Sequence, residues 1–283
     1  VRNVHLVGVC AARVVWHESS FTPLTVRGVT FHLRSFTVRG GFQGLTARDG
    51  ANLEIERVRV EDMSGCGVLA RGEGSVVRIR DSVIRGARPD AMNRNGYGLL
   101  ADSGGVVFAE RTAILDTQRV GVFAAADGSI DLAQSIVRGT RSVGLNAGFG
   151  VSNGLGGRVH GAGVVIDDNQ KTGVVALGSG DGIRLEASVV RDTRALEGAY
   201  GAGLSAQEGG TLRIERVRVE RNTGNGVLTS GEGSRAEVLS SVVMGTRAGS
   251  GGSESFGVNS RAGASSSVVG SIISGSSGSG VLV

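Results

Sequence analysis

Gly44-Leu-Thr-Ala47, Gly67-Val-Leu-Ala70, Gly98-Leu-Leu-Ala101 and Gly121-Val-Phe-Ala124 open a series that runs almost to the end of the chain. It continues through Gly144-Leu-Asn-Ala147, Gly173-Val-Val-Ala176, Gly203-Leu-Ser-Ala206, Gly226-Val-Leu-Thr229, Gly257-Val-Asn-Ser260 and Gly280-Val-Leu-Val283. From each glycine to the next the numbering advances by 23, 31, 23, 23, 29, 30, 23, 31 and 23. A basic step of 23, lengthened by 6 to 8 in some turns, is the pattern of a solenoid whose units stack on their neighbours.

Within each unit the apolar residues alternate. After the glycine comes Leu or Val, two places later a small residue, and between them a mixed column of Thr46, Leu69, Leu100, Phe123, Asn146, Val175 and Ser205. This period of two predicts a short strand with its aliphatic and alanine side chains inward. A second strand carries pairs such as Leu53/Ile55, Val77/Ile79, Ile130/Leu132 and Leu212/Ile214. A third ends in the column Val60, Ile84, Ile114, Val137, Ile166, Val190, Val219, Val243 and Ile273. Three short strands per coil give an all-β, single-stranded parallel β-helix of about ten coils, rising about 4.8 Å per coil to a rod of about 50 Å.

The domain reading is one β-helix over residues 1–283. Residues 1–43 form irregular first coils, with strand-like alternation at 4–8 and 24–39. Segments 44–124 and 203–283 are related by internal duplication, every residue number rising by 159 between them. Leu53-Glu-Ile-Glu-Arg-Val-Arg-Val-Glu61 accordingly returns as Leu212-Arg-Ile-Glu-Arg-Val-Arg-Val-Glu220. The strand-like end at Val283 would leave an exposed parallel edge, so a continuation of the chain or a second subunit is expected to cover it.

Composition agrees with a narrow, regular interior: 49 glycines, 2 prolines and only 4% aromatics among 283 residues. The net charge is +4, and Lys171 is the single lysine. Charges alternate in sign, as at Glu54, Glu56, Arg57, Arg59 and Glu61. No aromatic stacking platform or reading helix accompanies them, which argues against a nucleic-acid partner. No apolar run approaches the ~20 residues that span a bilayer. Cys10 and Cys66 make no disulfide framework, and both are expected to be free. The chain starts at Val1, so any signal segment lies outside it, and an extracellular or cell-surface location is the expectation.

Two polar columns read as structural ladders rather than nucleophiles: Ser82, Thr112, Ser135, Ser188, Ser241 and Ser271, and Thr117, Thr140, Asn169, Thr193, Asn222 and Thr246. No histidine column stands beside them to act as a base.

With these columns in place, residues 24–283 resemble the right-handed parallel β-helix proteins of the pectin-lyase-like superfamily. The resemblance implies the architecture and, for its enzymes, polysaccharide lyase or hydrolase activity through calcium-binding aspartates with a basic residue, or a Gly-His-Gly turn with Arg-x-Lys. This sequence has neither Gly-His-Gly nor Arg-x-Lys; His160 sits in Val159-His-Gly161. That places it nearer the superfamily's non-catalytic surface repeats.

Three features are candidates for function. Asp167, Asp168 and Asp192, with Arg191 and Arg138, form a mixed patch on adjacent coils. Its carboxylates would hold calcium or act as an acid/base pair, and its arginines would contact an anionic sugar. The plainer reading is a neutralised turn in which Arg191 and Lys171 offset the acids. Inserted turns at 88–97, 194–200 and 247–256 leave one corner, with a further excursion at 147–163, and together would wall a groove; otherwise their aromatics pin the turns onto Leu100 or Phe123. Last, an outward aliphatic stripe of Val83, Ile136, Val165, Val189, Val242 and Ile272 is either strand propensity or a surface for self-association.

The reading is therefore a scaffold or binding module for polysaccharide or another envelope component, with no cofactor unless the aspartates take calcium. An enzyme acting on acidic polysaccharide and a structural or secreted passenger repeat are the alternatives.

Overall fold

The computed structural model describes residues 4–15, 22–144, 147–180, 182–196, 201–249 and 255–283, with the strand Val4–Val15 described by its backbone alone. Every pairing between its strands is parallel and joins one coil to the next. The first strand of each coil, from Leu24–Arg27 and Gln43–Arg48 to Val281–Leu282, belongs to a sheet of 11 strands. The second and third strands, such as Asn52–Glu56 and Arg59–Glu61, share a sheet of 20. In the opening coil the two run together as Thr30–Arg39, which pairs with both Asn52–Glu56 and Arg59–Glu61 and, on its other side, with Val4–Val15. The rod is a parallel β-helix.

The apolar columns close the interior. Leu45, Ala47, Leu53, Ile55 and Val60 are buried together, and their counterparts in later coils continue the same core. The mixed column of the first strand is largely buried as well, although it faces outward. Leu69 and Leu100 pack there with Cys66, Tyr97 and Phe123 in a separate apolar cluster, and the Tyr97 and Phe123 rings stack with centroids 5.2 Å apart. Tyr97 thus secures the end of its own turn on this outer row.

Glycine precedes the aliphatic residue because the chain passes too close to the next coil for a side chain. A Cβ on Gly44 would lie 2.4 Å from the Gly67 carbonyl oxygen, one on Gly67 2.7 Å from that of Gly98, and one on Gly98 2.5 Å from that of Gly121. Real Cβ atoms do not approach so closely.

The same column corrects one step of the sequence reading. Gly121 stacks on Gly150, and Gly150 on Gly173; the strand of that coil is Phe149–Gly154, with Val151 between Val122 and Val174. Gly144-Leu-Asn-Ala147 is not the strand. Gly144 lies in the turn at φ 71° with open space beside it, and Leu145 and Asn146 fall outside the described residues. Residues 147–163 are likewise no excursion: they contain the regular strands Phe149–Gly154 and Arg158–Ala162. With Gly150 in place the steps become 23, 31, 23, 29, 23, 30, 23, 31 and 23. From Gly44 onward short and long coils alternate, and the displacement of 159 is the sum of three two-coil units of 54, 52 and 53.

The polar ladders sit at the corners where the sheets leave backbone groups unpaired. The Ser188 hydroxyl donates to the Glu186 carbonyl at 2.7 Å and accepts from the Val164 N–H of the preceding coil at 3.0 Å. Ser82, Ser135 and Ser241 make the same pair of bonds. In the second ladder the Thr117 and Thr140 hydroxyls meet at 3.2 Å, while the Asn169 amide accepts from the Thr140 N–H and donates to the Val137 carbonyl. Asn222 repeats this against Thr193 and Val190. These hydroxyls and amides complete the backbone's hydrogen bonding.

Cys66 is buried and free, and burial pushes its thiol up to about 12. Cys10 lies on the strand described by its backbone alone. Since the thiolate is the nucleophile, Cys66 should resist alkylation in the native protein at pH 8 and react once the chain is unfolded. Site-resolved mass spectrometry checks this, and native labelling of Cys66 would contradict its placement. The register has its own test in urea denaturation. Gly150→Ala should cost about 3 kcal/mol or more by forcing a backbone clash, whereas Gly144→Ala should cost roughly 1–2 kcal/mol from its left-handed backbone alone. A larger loss at Gly144 would restore the discarded alignment.

Candidate functional site

The corner between the third strand of one coil and the first strand of the next carries the charged patch. Here the chain enters the left-handed region for one residue: Asp62, Gly86, Asp116, Gly139, Asp168, Asp192, Arg221 and Gly245 occupy equivalent places with φ between 51° and 76°. Glycine and aspartate are among the residues that accept this conformation at least cost. Asp168 and Asp192 therefore share a column, as expected, and this backbone favours their type without requiring it, since Arg221 adopts it too.

Their carboxylates are not left to each other. Asp168 is gripped from both neighbouring coils, by Arg141 Nη2 at 2.9 Å and Arg194 Nη2 at 2.6 Å, and Arg141 also donates to its carbonyl at 2.6 Å. Asp192 accepts from Arg221 Nε at 3.0 Å and Nη2 at 2.7 Å. Asp167 is buried, with Arg138 Nε and Arg191 Nε each at 3.4 Å; Arg191 Nε is itself buried without a hydrogen-bond acceptor. Arg138, Asp167 and Arg191 stand in consecutive rungs of the third strand. Asp167, Asp192, Arg138 and Arg191 are thus links of one arginine–carboxylate chain that also takes in Glu220, bonded by Arg218 and Arg221, while Asp168 is bridged separately by Arg141 and Arg194.

The sequence reading gave no role to Arg141, Arg194 or Arg221, and the first two neutralise Asp168. Lys171 lies 5.3 Å from the centre of the Phe149 ring, where partial burial lowers its ammonium below the ordinary lysine range. The missing signal was a recurrence over every two coils, as from Arg141 to Arg194, hidden by the misplaced Gly144.

The long turns share this corner. Each lies between a third and a first strand, at 86–96, 139–148, 192–201 and 245–255, on every second coil; Tyr200 falls outside the described residues. Phe149 opens its strand as Tyr97 and Phe256 open theirs. Below the first of these turns is a polar cleft of about 340 Å³, lined by Arg39, Glu61, Asp62, Arg85, Arg88 and Asp116 among others.

Two further places carry chemistry. On the second strands, Phe108, Asp131, His160 and Arg184 stack in one outward column. His160 lies 3.4 Å from Asp131 and 3.8 Å from Glu186 through its two ring nitrogens. Phe108 is 40% exposed over a cleft of about 350 Å³. The aliphatic stripe is half-buried from Val83 through Ala113, Ile136 and Val165 to Val189, and Ile272 at its far end is largely exposed. Among the described residues no three His, Cys, Asp or Glu side chains are grouped to hold a metal ion, and no helix is long and apolar enough to cross a membrane.

The hydrogen bonds from Arg221 hold the Asp192 carboxyl below the usual aspartate range. A lowered native pKa adds stability above the unfolded pKa and loses it as pH falls through the native value. Asp192→Asn should therefore lower the unfolding free energy measured in urea at pH 7 by less than about 1 kcal/mol for so exposed a pair, and the difference from wild type should vanish in strong acid. A deficit that persists there would mean that the ion pair is not its source.

Among solved structures, the mannuronan C-5 epimerase AlgE4 A-module of Azotobacter vinelandii aligns with 100% of this chain and 89% of its own, with a TM-score of 0.56 and 19% identity. At that identity the likeness is one of fold. A TibC-catalysed hyper-glycosylated TibA fragment aligns over 100% of both chains at 12% identity, but its TM-score of 0.22 carries no argument. No curated protein matches the sequence. The sequence pattern described as the right-handed β-helix region matches residues 15–190, and with the parallel coils above it, the chain belongs to the right-handed β-helix family.

Proposed function

We propose that the protein is a binding module for acidic polysaccharide, working outside the cell or on its surface and holding its ligand along the corner of the long turns. The observation that carries this reading is the recurrence of long turns at one corner of a rigid rod, on every second coil of the described residues, beside arginine–carboxylate bridges. Loops on a stiff scaffold are where recognition concentrates. Guanidinium groups held by neighbouring carboxylates meet an anionic sugar with little further loss of side-chain freedom. The named activity of the solved protein with the same rod, on mannuronan, supports polysaccharide as the ligand class.

Binding is favoured over turnover because the corner carboxylates are committed to arginines. Asp192, held in its charged form, is a poor proton donor near neutrality,. The alternative enzyme reading finds its best support at His160 between Asp131 and Glu186, an arrangement with an acid/base group at its centre.

Affinity electrophoresis of the whole chain through gels cast with polyuronate, neutral glucan or no polymer separates these readings. Retardation by the polyuronate alone, weakening as salt is raised, is the expected result. Equal mobility in every gel would remove the binding proposal. Release of unsaturated or reducing sugars, lost in His160→Ala, would instead establish the enzyme.

A further inference from the structure

We propose that the corner reads its ligand in steps of two coils: Arg88, Arg141, Arg194 and Arg247 each take one anionic group of a linear polyanion lying along the rod. This rests on the binding reading above and adds the reading residues, the direction of the ligand and its period.

The four arginines recur at one constant step of 53, one every two coils, and each sits near the base of a long turn. They belong to one backbone column. The N–H groups of Arg88, Gln118, Arg141, Gln170, Arg194, Thr223 and Arg247 bond at 2.8–2.9 Å to carbonyls of the coil before, in identical register. Long and short coils thus present the same backbone here but different side chains. Every long coil has arginine, while the short coils between them have Gln118, Gln170 and Thr223. A uniform basic row would suit any polyanion, whereas a strict alternation sets a period. Two rungs correspond to about 9.6 Å.

The guanidinium groups are both placed and accessible. The two oxygens of Asp168 hold Arg141 and Arg194, and Asp62 lies 4.0 Å from Arg88. Arg88, Arg141 and Arg194 are nevertheless 63%, 41% and 56% exposed. Each guanidinium has five N–H donors, and these contacts use only part of them. The Asp168 carboxylate accordingly anchors one nitrogen of Arg141 and one of Arg194 and leaves other donors of each open,. The polar cleft of about 340 Å³ beside Arg88 gives the row a recess at one end.

A ligand that satisfies this row carries its charges on one edge at every second unit. An extended 1,4-linked uronate chain of twofold symmetry does so, because successive rings turn over and the carboxylates on one side recur at alternate sugars.

Titration calorimetry of the full chain with uronate oligomers of increasing length tests the inference. Affinity should climb each time two sugars are added and level off once four same-side carboxylates are present. R88Q and R247Q should each weaken the longest oligomer roughly three- to tenfold and reduce the salt dependence, while R213Q, on the second strand and paired with Glu237, should change neither. Thermal melts of each variant verify folding; R88Q and R247Q serve as the main probes because Arg141 also supports the Asp168 carbonyl. An even rise with each added sugar would overturn the two-coil period. Unchanged binding by R88Q and R247Q would overturn the row while leaving the module's function standing, and no binding of any oligomer or polymer would overturn both.

Discussion

The structure depends on how closely one coil can lie on the next at the glycine corner. Backbone meets backbone there with no room for a Cβ, the carbonyl of each glycine standing over the one before. That approach lets the first strands pair rung by rung in a parallel sheet. It also keeps the aliphatic residue that follows in phase with its neighbours, since a slip of one residue in a strand reverses every side chain. The core is then a consequence of register rather than of bulk, which is why a chain with so few aromatics still closes a continuous interior.

The remaining corners answer a different demand. Each coil must turn between short strands, and each turn leaves N–H and C=O groups facing the inside. The serine, threonine and asparagine columns supply the partners, and the left-handed corner residues supply the bend. The charged edge is built on the second of these. Aspartate is tolerated at the bend, arginines from adjacent coils close over it, and glycine replaces aspartate where the carboxylate below would meet a side chain, as at Gly86 and Gly139. Much of what resembles a catalytic cluster thus has a local conformational cause, while the arginine row has none.

The columns of Val, Leu, Ile, Ser and Thr were legible because burial and backbone pairing impose the same residue types at every coil. Legibility failed where two neighbouring stretches fitted the same pattern. Gly144-Leu-Asn-Ala147 satisfies it better than Gly150-Val-Ser-Asn153, since alanine fills the inner column elsewhere. Asn153 is accepted inside because its amide finds the Gly157 carbonyl and the Leu177 N–H, beyond the point where the paired register to the next coil stops. The arrangement of the charged corner was legible as a column but not as a network, because its partners lie one coil away on either side and their spacing was concealed by that misplaced strand.

Alternation of short and long coils also constrains how such a rod changes length through descent. Each coil touches only its immediate neighbours, so unequal recombination that removes or copies a complete short-and-long pair rejoins matching surfaces and keeps every arginine in phase. Loss of a single short coil would set two long turns on adjacent rungs and crowd them. A rod built this way can gain or lose coils in pairs, so that its reach changes without redesign of the surface that it repeats.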